Sequence, residues 1–325
     1  MTTTEDHPDP TGPAVAEALR QFARSPTYRA SFASSELLRS ALWPAARRYI
    51  LAEDLAGLLD RLPVLTARGY RIAVEIVGEE ARTEQEVDAV VAGYLAAIPA
   101  CAALGAPVQL GFDLSNVGSL ISWDLARENT EKILVEAGRY GNEVVLSMED
   151  SESLPHILDV FESLSPSYPG LGVTLQAYLH RTDEDLRRIA ASGAKVRLVK
   201  GVYQEPASRA LARGPELDRR YVDLLERLVE AGVRTSLASH DPAIHAMAAD
   251  RGLLSRVEEV EMLHGVRPDL LRKLREDGVP CRVYCVYGRN WWLHVLHRLA
   301  EHPANALVSL ADLGDPDRVV FAADY

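Results

Sequence analysis

Eight short runs of β-branched and aliphatic residues recur along the chain: Arg71–Val77, Val108–Leu114, Glu143–Met148, Gly172–Ala177, Lys195–Val199, Thr235–Ser239, Val257–Leu263 and Cys281–Val286. The segments between them, such as EQEVDAVVAGYLAAI, RENTEKILVEAGRY, RRYVDLLERLVEAG and RPDLLRKLREDG, carry apolar residues three and four apart and predict helices. Runs that are largely apolar rather than strictly alternating belong to strands covered on both faces, which is the parallel sheet of an α/β protein. Gly193, Gly232 and Gly278 close helical stretches just before the next strand, as C-cap glycines do. Residues 71–325 have the length, about 250 residues, of a (βα)8 TIM barrel. The competing fold, an open doubly wound sheet, loses its main signal because no G-x-G-x-x-G follows the first strand. The expected fold class is therefore α/β, a (βα)8 barrel over residues 67–325.

Residues 15–66 predict an N-terminal helical arm, built from AVAEALRQFA and SSELLRSALWPAARRYILAEDLAGLLDRL. Ser34 or Ser35 is placed to cap the second helix and Pro44 to bend it. Residues 1–14, polar and proline-rich, predict a disordered tail.

Composition narrows the function classes. With 47% hydrophobic and 25% charged residues the chain is globular. Lys and Arg number 35 against 47 Asp and Glu, a net charge of −12, which argues against a nucleic-acid partner. No apolar run of about 18 residues predicts a transmembrane helix, and MTTTEDHPDP is no secretory signal. The three cysteines, Cys101, Cys281 and Cys285, are too few and odd in number for a disulfide framework and predict small buried hydrophobes. A cytoplasmic setting is expected.

In a barrel of this kind the active site lies at the C-terminal ends of the strands. Those ends carry Glu79, Asp113, Ser147, Glu149, Gln176, Arg181, Arg197, Lys200, Tyr203, Ser239, His240, Glu261, His264 and Tyr284. Arg181, Arg197 and Lys200 gather cations on one rim of an acidic protein and suggest an anionic ligand, unless carboxylates neutralise them. In the helix that follows the eighth strand, His294, Arg298 and Glu301 fall at i, i+4 and i+7 and share a face, with His297 beside it. Three classes stay open at this level: a barrel holding a phosphate-bearing cofactor, a metal-dependent hydrolase using His240, His264, Glu149 and Lys200, and a non-catalytic barrel. The second lacks the H-x-H pair at the first strand, and no metal is expected.

RLVKGVYQEP, Arg197–Pro206, resembles the signature of the proline dehydrogenase family. LQAYLHRT, ASHD, EMLHGVRPDL, RVYCVYGRNWW and HRLAEHPAN resemble the family's other segments, in the same order, over residues 170–305. The resemblance implies a distorted barrel that binds FAD, oxidises L-proline to 1-pyrroline-5-carboxylate in proline catabolism and passes electrons to a membrane quinone, with peripheral membrane contact. It implies cofactor contacts from Gln176, Arg181, Arg197, Lys200, Gly201, Tyr203, Ser239 and His240, with Arg197 near flavin N5. It further implies a substrate pocket of Gly111, Ser147, Tyr203, Leu263, Tyr284, His297 and Arg298. Arg298 would hold the substrate carboxylate, Glu301 would buttress it, and Arg197, Tyr284, Arg298 and Glu301 form the catalytic set.

The chain departs from the family pattern where substrate should sit. Gly111 is expected in place of a strand-2 lysine, Ser147 in place of a strand-3 aspartate, and His297 in place of the first of two arginines. His264 and Val286 replace a tyrosine and a proline. These read as a correlated loss of charge, with Gly111 opening volume. Losing one charged hydrogen bond, ~1.5–3 kcal/mol, weakens proline ~10–100-fold. The expectation is a flavoenzyme acting on L-proline or a related substrate, with, as the alternative, one redirected in specialised metabolism to another amine: a different cyclic imino acid, an N-substituted glycine or a hydrazine.

Overall fold

A computed structural model describes residues 11–325 except 79, 106, 302 and 303. All eight apolar runs form parallel strands: β1 Arg71–Ile76, β2 Gln109–Phe112, β3 Glu143–Leu146, β4 Leu171–Gln176, β5 Val196–Val199, β6 Thr235–Ala238, β7 Glu259–Leu263 and β8 Cys281–Tyr287. Each pairs with the next in chain order, and β1 closes on β8 with Arg71 opposite Arg282 and Ile76 opposite Tyr287. The chain thus folds as an α/β TIM-type barrel. Gly193, Gly232 and Gly278 sit at φ of +69°, +72° and +85°, the left-handed conformation a helix C-cap uses.

The floor of the barrel is ionic rather than aliphatic. Lys195 Nζ lies 2.7 Å from Glu259 Oε1 and 3.2 Å from Glu258, Arg282 Nε donates to Glu259 at 2.7 Å, and the Ser236 hydroxyl donates to the same carboxylate at 2.9 Å. Glu259 is held far below the usual carboxylate range because Arg282 and Lys195 outweigh its burial. Cys101, Cys281 and Cys285 are buried thiols; burial pushes Cys281 up to about 12 and Cys101 to about 11.

The N-terminal arm is helical but not continuous. It comprises α1 Thr11–Arg24, α2 Pro26–Ser34, α3 Glu36–Ala46 and α4 Leu55–Ala67. Helix α1 starts at Thr11, so residues 11–14 are not tail; the disorder expected for residues 1–10 falls outside the described residues. Ser35 caps α3 by accepting from the Leu38 amide. The predicted single helix from Ser34 to Leu62 breaks after Ala46, because Leu51 donates instead to the Val286 carbonyl and Ala52 bridges to Tyr287. Periodicity could not reveal this insertion against β8.

The outer helices are α5 Glu84–Ala102, α6 Trp123–Arg139, α7 Leu154–Leu164, α8 Thr182–Ala190, α9 Pro215–Glu230, α10 Pro242–Asp250, α11 Pro268–Glu276, α12 Trp292–Glu301 and α13 Ala304–Gly314. Phe32 of α2 packs edge-on against Trp291, ring centroids 4.5 Å apart. Trp292 Nε1 donates to the Phe22 carbonyl of α1 at 3.3 Å. The arm therefore braces α12, the helix that borders the barrel mouth.

Candidate active site

A cavity of about 680 Å³ opens at the C-terminal end of the barrel, within the usual ~300–1,000 Å³ of small-molecule sites. Every strand contributes: Glu75, Asp113, Ser147, Gln176, Arg197, Ser239, Leu263 and Tyr284 line it in order around the barrel, and α12 adds His294, Arg298 and Glu301. Inward positions of a strand recur every second residue, so Thr174 with Gln176 and Glu261 with Leu263 reach the cavity from different depths.

Arg197 is the hub. Its guanidinium stacks 4.9 Å above the Tyr284 ring centroid, Nη1 lies 3.2 Å from Glu261 Oε1, Nε donates to Thr174 at 3.0 Å and Nη2 to Ser147 at 3.3 Å. Burial alone disfavours its charge, yet Tyr284 and Glu261 raise its pKa above the ordinary value. The Tyr284 hydroxyl donates to Glu75. Glu75 is pushed up by burial against the help of that hydrogen bond and of Arg197 and Arg298.

Two further carboxyls stand near Glu75: Asp113, which lines the cavity, and Glu149 behind it. Asp113 is raised to about 7, first by burial and then by the charge of Glu75, with Arg197 and a Ser147 hydrogen bond opposing. Glu149 is raised to about 8 by burial and by Asp113, while its Oε1 accepts from the Ser115 amide at 3.1 Å. Arg298 is held by Glu301 at 2.8 Å. The His294 imidazole is kept neutral by burial and by Arg298, and its Nε2 is buried without a partner.

The cavity is also lined by Lys200, Gly201, Tyr203, Arg213, Gly214, Asp218, His240 and Arg267. Gly214 precedes α9 at φ +149° with open space around it, and no side chain caps the helix start. Uncapped amides and a helix dipole beside Arg213 and Lys200 fit a phosphate. Gln176 donates from Nε2 to the Glu149 carbonyl at 2.6 Å, leaving Oε1 buried with no donor. A ring N–H of a planar cofactor would satisfy it. His240 Nε2 accepts from the Leu263 amide at 2.9 Å, which puts the ring proton of the neutral imidazole on Nδ1. These features fit FAD, although each predicted cation is already paired: Arg197 with Glu261, Lys200 with Asp218 and Asp241, and Arg181 with Asp185.

Most of the expected site residues meet in this one cavity: Ser147, Gln176, Arg197, Lys200, Gly201, Tyr203, Ser239, His240, Leu263, Tyr284, Arg298 and Glu301. Three do not. Arg181 turns to Asp185 one helical turn on, with bonds of 2.8 and 2.9 Å, and lies outside the cavity. His297 falls on the α1 side of α12, with Arg24 and Arg20 near it, and burial and Arg298 lower its pKa to about 4; His294 takes the cavity face instead. Gly111 opens no volume, because a Cβ there would overlap the Tyr284 hydroxyl and approach Cζ to 2.9 Å. A lysine at 111 would require the Tyr284 ring to shift. Asp113, two residues on along β2, is the residue that reaches the cavity. The departure at Gly111 is a loss of charge, and Asp113 adds a carboxyl to the same end of the barrel. Asp113 was legible only as a polar residue at a strand end and His294 as part of a helix face, while Glu75, inside β1 rather than past its end, was not picked out.

The hydrolase set does not converge. His264 Nδ1 accepts from Tyr325 at 2.9 Å, stacked on its ring, and burial lowers it to about 3. Among the described residues no group of three or more His, Cys, Asp or Glu is placed to hold a metal. None of the described helices is long and apolar enough to cross a membrane.

Residues 58–301 match the family model described as proline dehydrogenase. The chain is 30% identical over 265 residues to proline dehydrogenase 1 of Bacillus subtilis, covering 80% of this chain and 88% of that one. It is 29% identical over 280 residues to the proline dehydrogenase of Deinococcus radiodurans, covering 83% and 90%. Among solved structures, proline utilization A from Bdellovibrio bacteriovorus, inactivated by N-propargylglycine, superposes with a TM-score of 0.72 at 21% identity. That match covers 86% of this chain and 35% of the longer protein, and at this identity it speaks for the fold alone.

Proposed function

The chain belongs to the proline dehydrogenase family, and from that premise we propose that it is an FAD-dependent oxidoreductase that converts an amine C–H to an imine. The observation that carries the reading is the pairing, on neighbouring strands of one cavity, of an orphaned buried acceptor at Gln176 with the fixed cation of Arg197. When bound, the flavin supplies the two-electron acceptor for hydride.

The residues divide the work. Gln176 would orient the ring, and the amides at the start of α9 with Lys200, Arg213 and Arg267 would hold the phosphates, in place of the ion pairs of Lys200 to Asp218 and Asp241 and of Arg267 to Asp269. Arg197 supplies a fixed positive charge where negative charge accumulates during transfer. Tyr203, Leu263 and Tyr284 wall the substrate and exclude water. Arg298, braced by Glu301, binds the substrate's polar end. Ser239, Gly201 and His240 shape the cofactor wall.

A specific observation favours a substrate other than free proline. Gly111 stands where the family resemblance leads one to expect a lysine, Asp113 adds a carboxyl to the cavity, and His297 gives Arg298 no second guanidinium. A carboxylate is held less well there than by three cations. An amine whose carboxylate is masked or absent fits better. Electron transfer to a quinone is the acceptor route the family suggests.

The test is spectroscopic. Purified protein should carry a yellow, FAD-type absorbance that bleaches anaerobically with its amine. L-prolinamide should bleach it faster than L-proline. Protein that takes up no flavin sinks the reading, and efficient bleaching by proline sinks the redirected substrate.

A further inference from the structure

An amine reaches the cavity at neutral pH as an ammonium, and it must shed a proton before its lone pair can assist departure of hydride from the adjacent carbon. Of the groups lining this part of the cavity, Glu261 is paired with Arg197 and Glu301 with Arg298, and Glu75, His294 and Asp113 stand beside them as candidates for that proton. Glu75 is already the acceptor of the Tyr284 hydroxyl, and it faces both Arg197 and Arg298. His294 faces Arg298 and is a weak base in its buried setting. Asp113 differs from both in how it is held.

Ser147 links Asp113 to Arg197. Its hydroxyl oxygen accepts from Arg197 Nη2 at 3.3 Å and hydrogen-bonds Asp113. A hydroxyl carries one proton, so accepting from the guanidinium turns that proton toward the carboxylate. The groups facing Asp113 are Glu75 from β1, Glu149 from the loop after β3, Arg197 from β5 and Tyr203 from the loop after β5. Two carboxyls thus stand against one guanidinium that is already paired with Glu261.

We propose that Asp113 is the base that takes the ammonium proton of the substrate, and that Ser147 is the positioning residue that orients it. In this step the substrate N–H bond breaks, an O–H bond forms on the Asp113 carboxylate, and the electron pair stays on nitrogen. The proton leaves through the cavity mouth as product departs. This assignment rests on the flavin amine-oxidation reading above. Burial and the charge of Glu75 hold the Asp113 carboxyl up to about 7, the range that suits a base working at neutral pH.

The experiment is the pH dependence of anaerobic flavin reduction in the holoenzyme, with L-proline and L-prolinamide as probes. Wild type should rise through an acid limb near pH 7 to a plateau. Asp113→Asn should be about 100–1,000-fold slower at pH 7, with a rate that climbs with pH and shows no plateau until the amine itself deprotonates. Ser147→Ala should keep the plateau and move the limb upward, because the anion loses a hydrogen bond. His294→Gln should keep the limb. An Asp113→Asn variant that retains the wild-type limb, or a His294→Gln variant that loses it, overturns the proposal. An infrared titration reads Asp113 without turnover: a protonated carboxyl band should vanish near pH 7 in wild type and be missing in Asp113→Asn, and a band present in neither protein also overturns it. If neither probe bleaches wild-type flavin while that band still titrates, the flavin reading has failed, and this inference falls with it.

Discussion

The guanidinium of Arg197 lies 4.9 Å above the centroid of the Tyr284 ring, so β5 and β8 meet across the barrel through one cation–π contact. The same arginine is paired with Glu261 of β7 at 3.2 Å. Replacing Arg197 with alanine leaves Glu261 buried without that partner and strips the cation from the Tyr284 face. The expected loss is ~3–5 kcal/mol of stability in urea unfolding. Arg197→Lys keeps the charge but loses the fork shared among Glu261, Thr174 and Ser147, so most of the fold should return while flavin reduction stays slow.

Gly111 is the tightest steric point of the substrate end. In Gly111→Ala the new methyl must displace the Tyr284 ring and break its hydrogen bond to Glu75. The expected cost is ~1–3 kcal/mol, with a lower rate of flavin reduction. Gly138, inside α6 with open space around it, is the control: alanine there should stabilise by up to ~1 kcal/mol. Equal effects at the two sites would refute the packing argument.

Asp113 should cost stability in proportion to its ionisation. Its folded pKa, about 7, lies above the unfolded value of ~3.9, so the folded state binds the proton more tightly. Its own contribution to stability is then greatest below pH ~4 and falls as pH rises toward 7. Asp113→Asn cannot ionise. It should match wild type near pH 4 and exceed it by about 1–3 kcal/mol at pH 8, the gain being shared with Glu75 and Glu149. Parallel stability curves for the two proteins from pH 4 to 8 would rule this out.

What the sequence made legible follows from which forces are local. Strands buried on both faces and glycine caps leave a repeating mark, so the eight runs and Gly193, Gly232 and Gly278 were readable one residue at a time. The spacing of His294, Arg298 and Glu301 marked a true helix face for the same reason. Contacts between distant segments leave no such mark. That Tyr284 fills the space above Gly111 depends on β8. That α3 stops at Ala46 depends on the Val286 carbonyl. That Arg181 turns away from the cavity to Asp185, four places on, is a choice of rotamer that the sequence does not mark.

The N-terminal arm should tune the substrate site without touching it. Phe32 is 2% exposed and packs on Trp291, one residue before α12, the helix that presents Arg298 and Glu301. Phe32→Ala removes an aromatic edge contact and opens a cavity beside that helix, costing ~3–5 kcal/mol. Arg298 then loses its fixed position against the substrate's polar end, whereas Arg197 and Gln176 on their own strands do not move. The expected signature is therefore a KM raised several-fold with kcat nearly kept and with FAD affinity unchanged, read by steady-state kinetics and flavin titration. A fall in kcat at constant KM would mean that α2 braces the cofactor wall rather than α12.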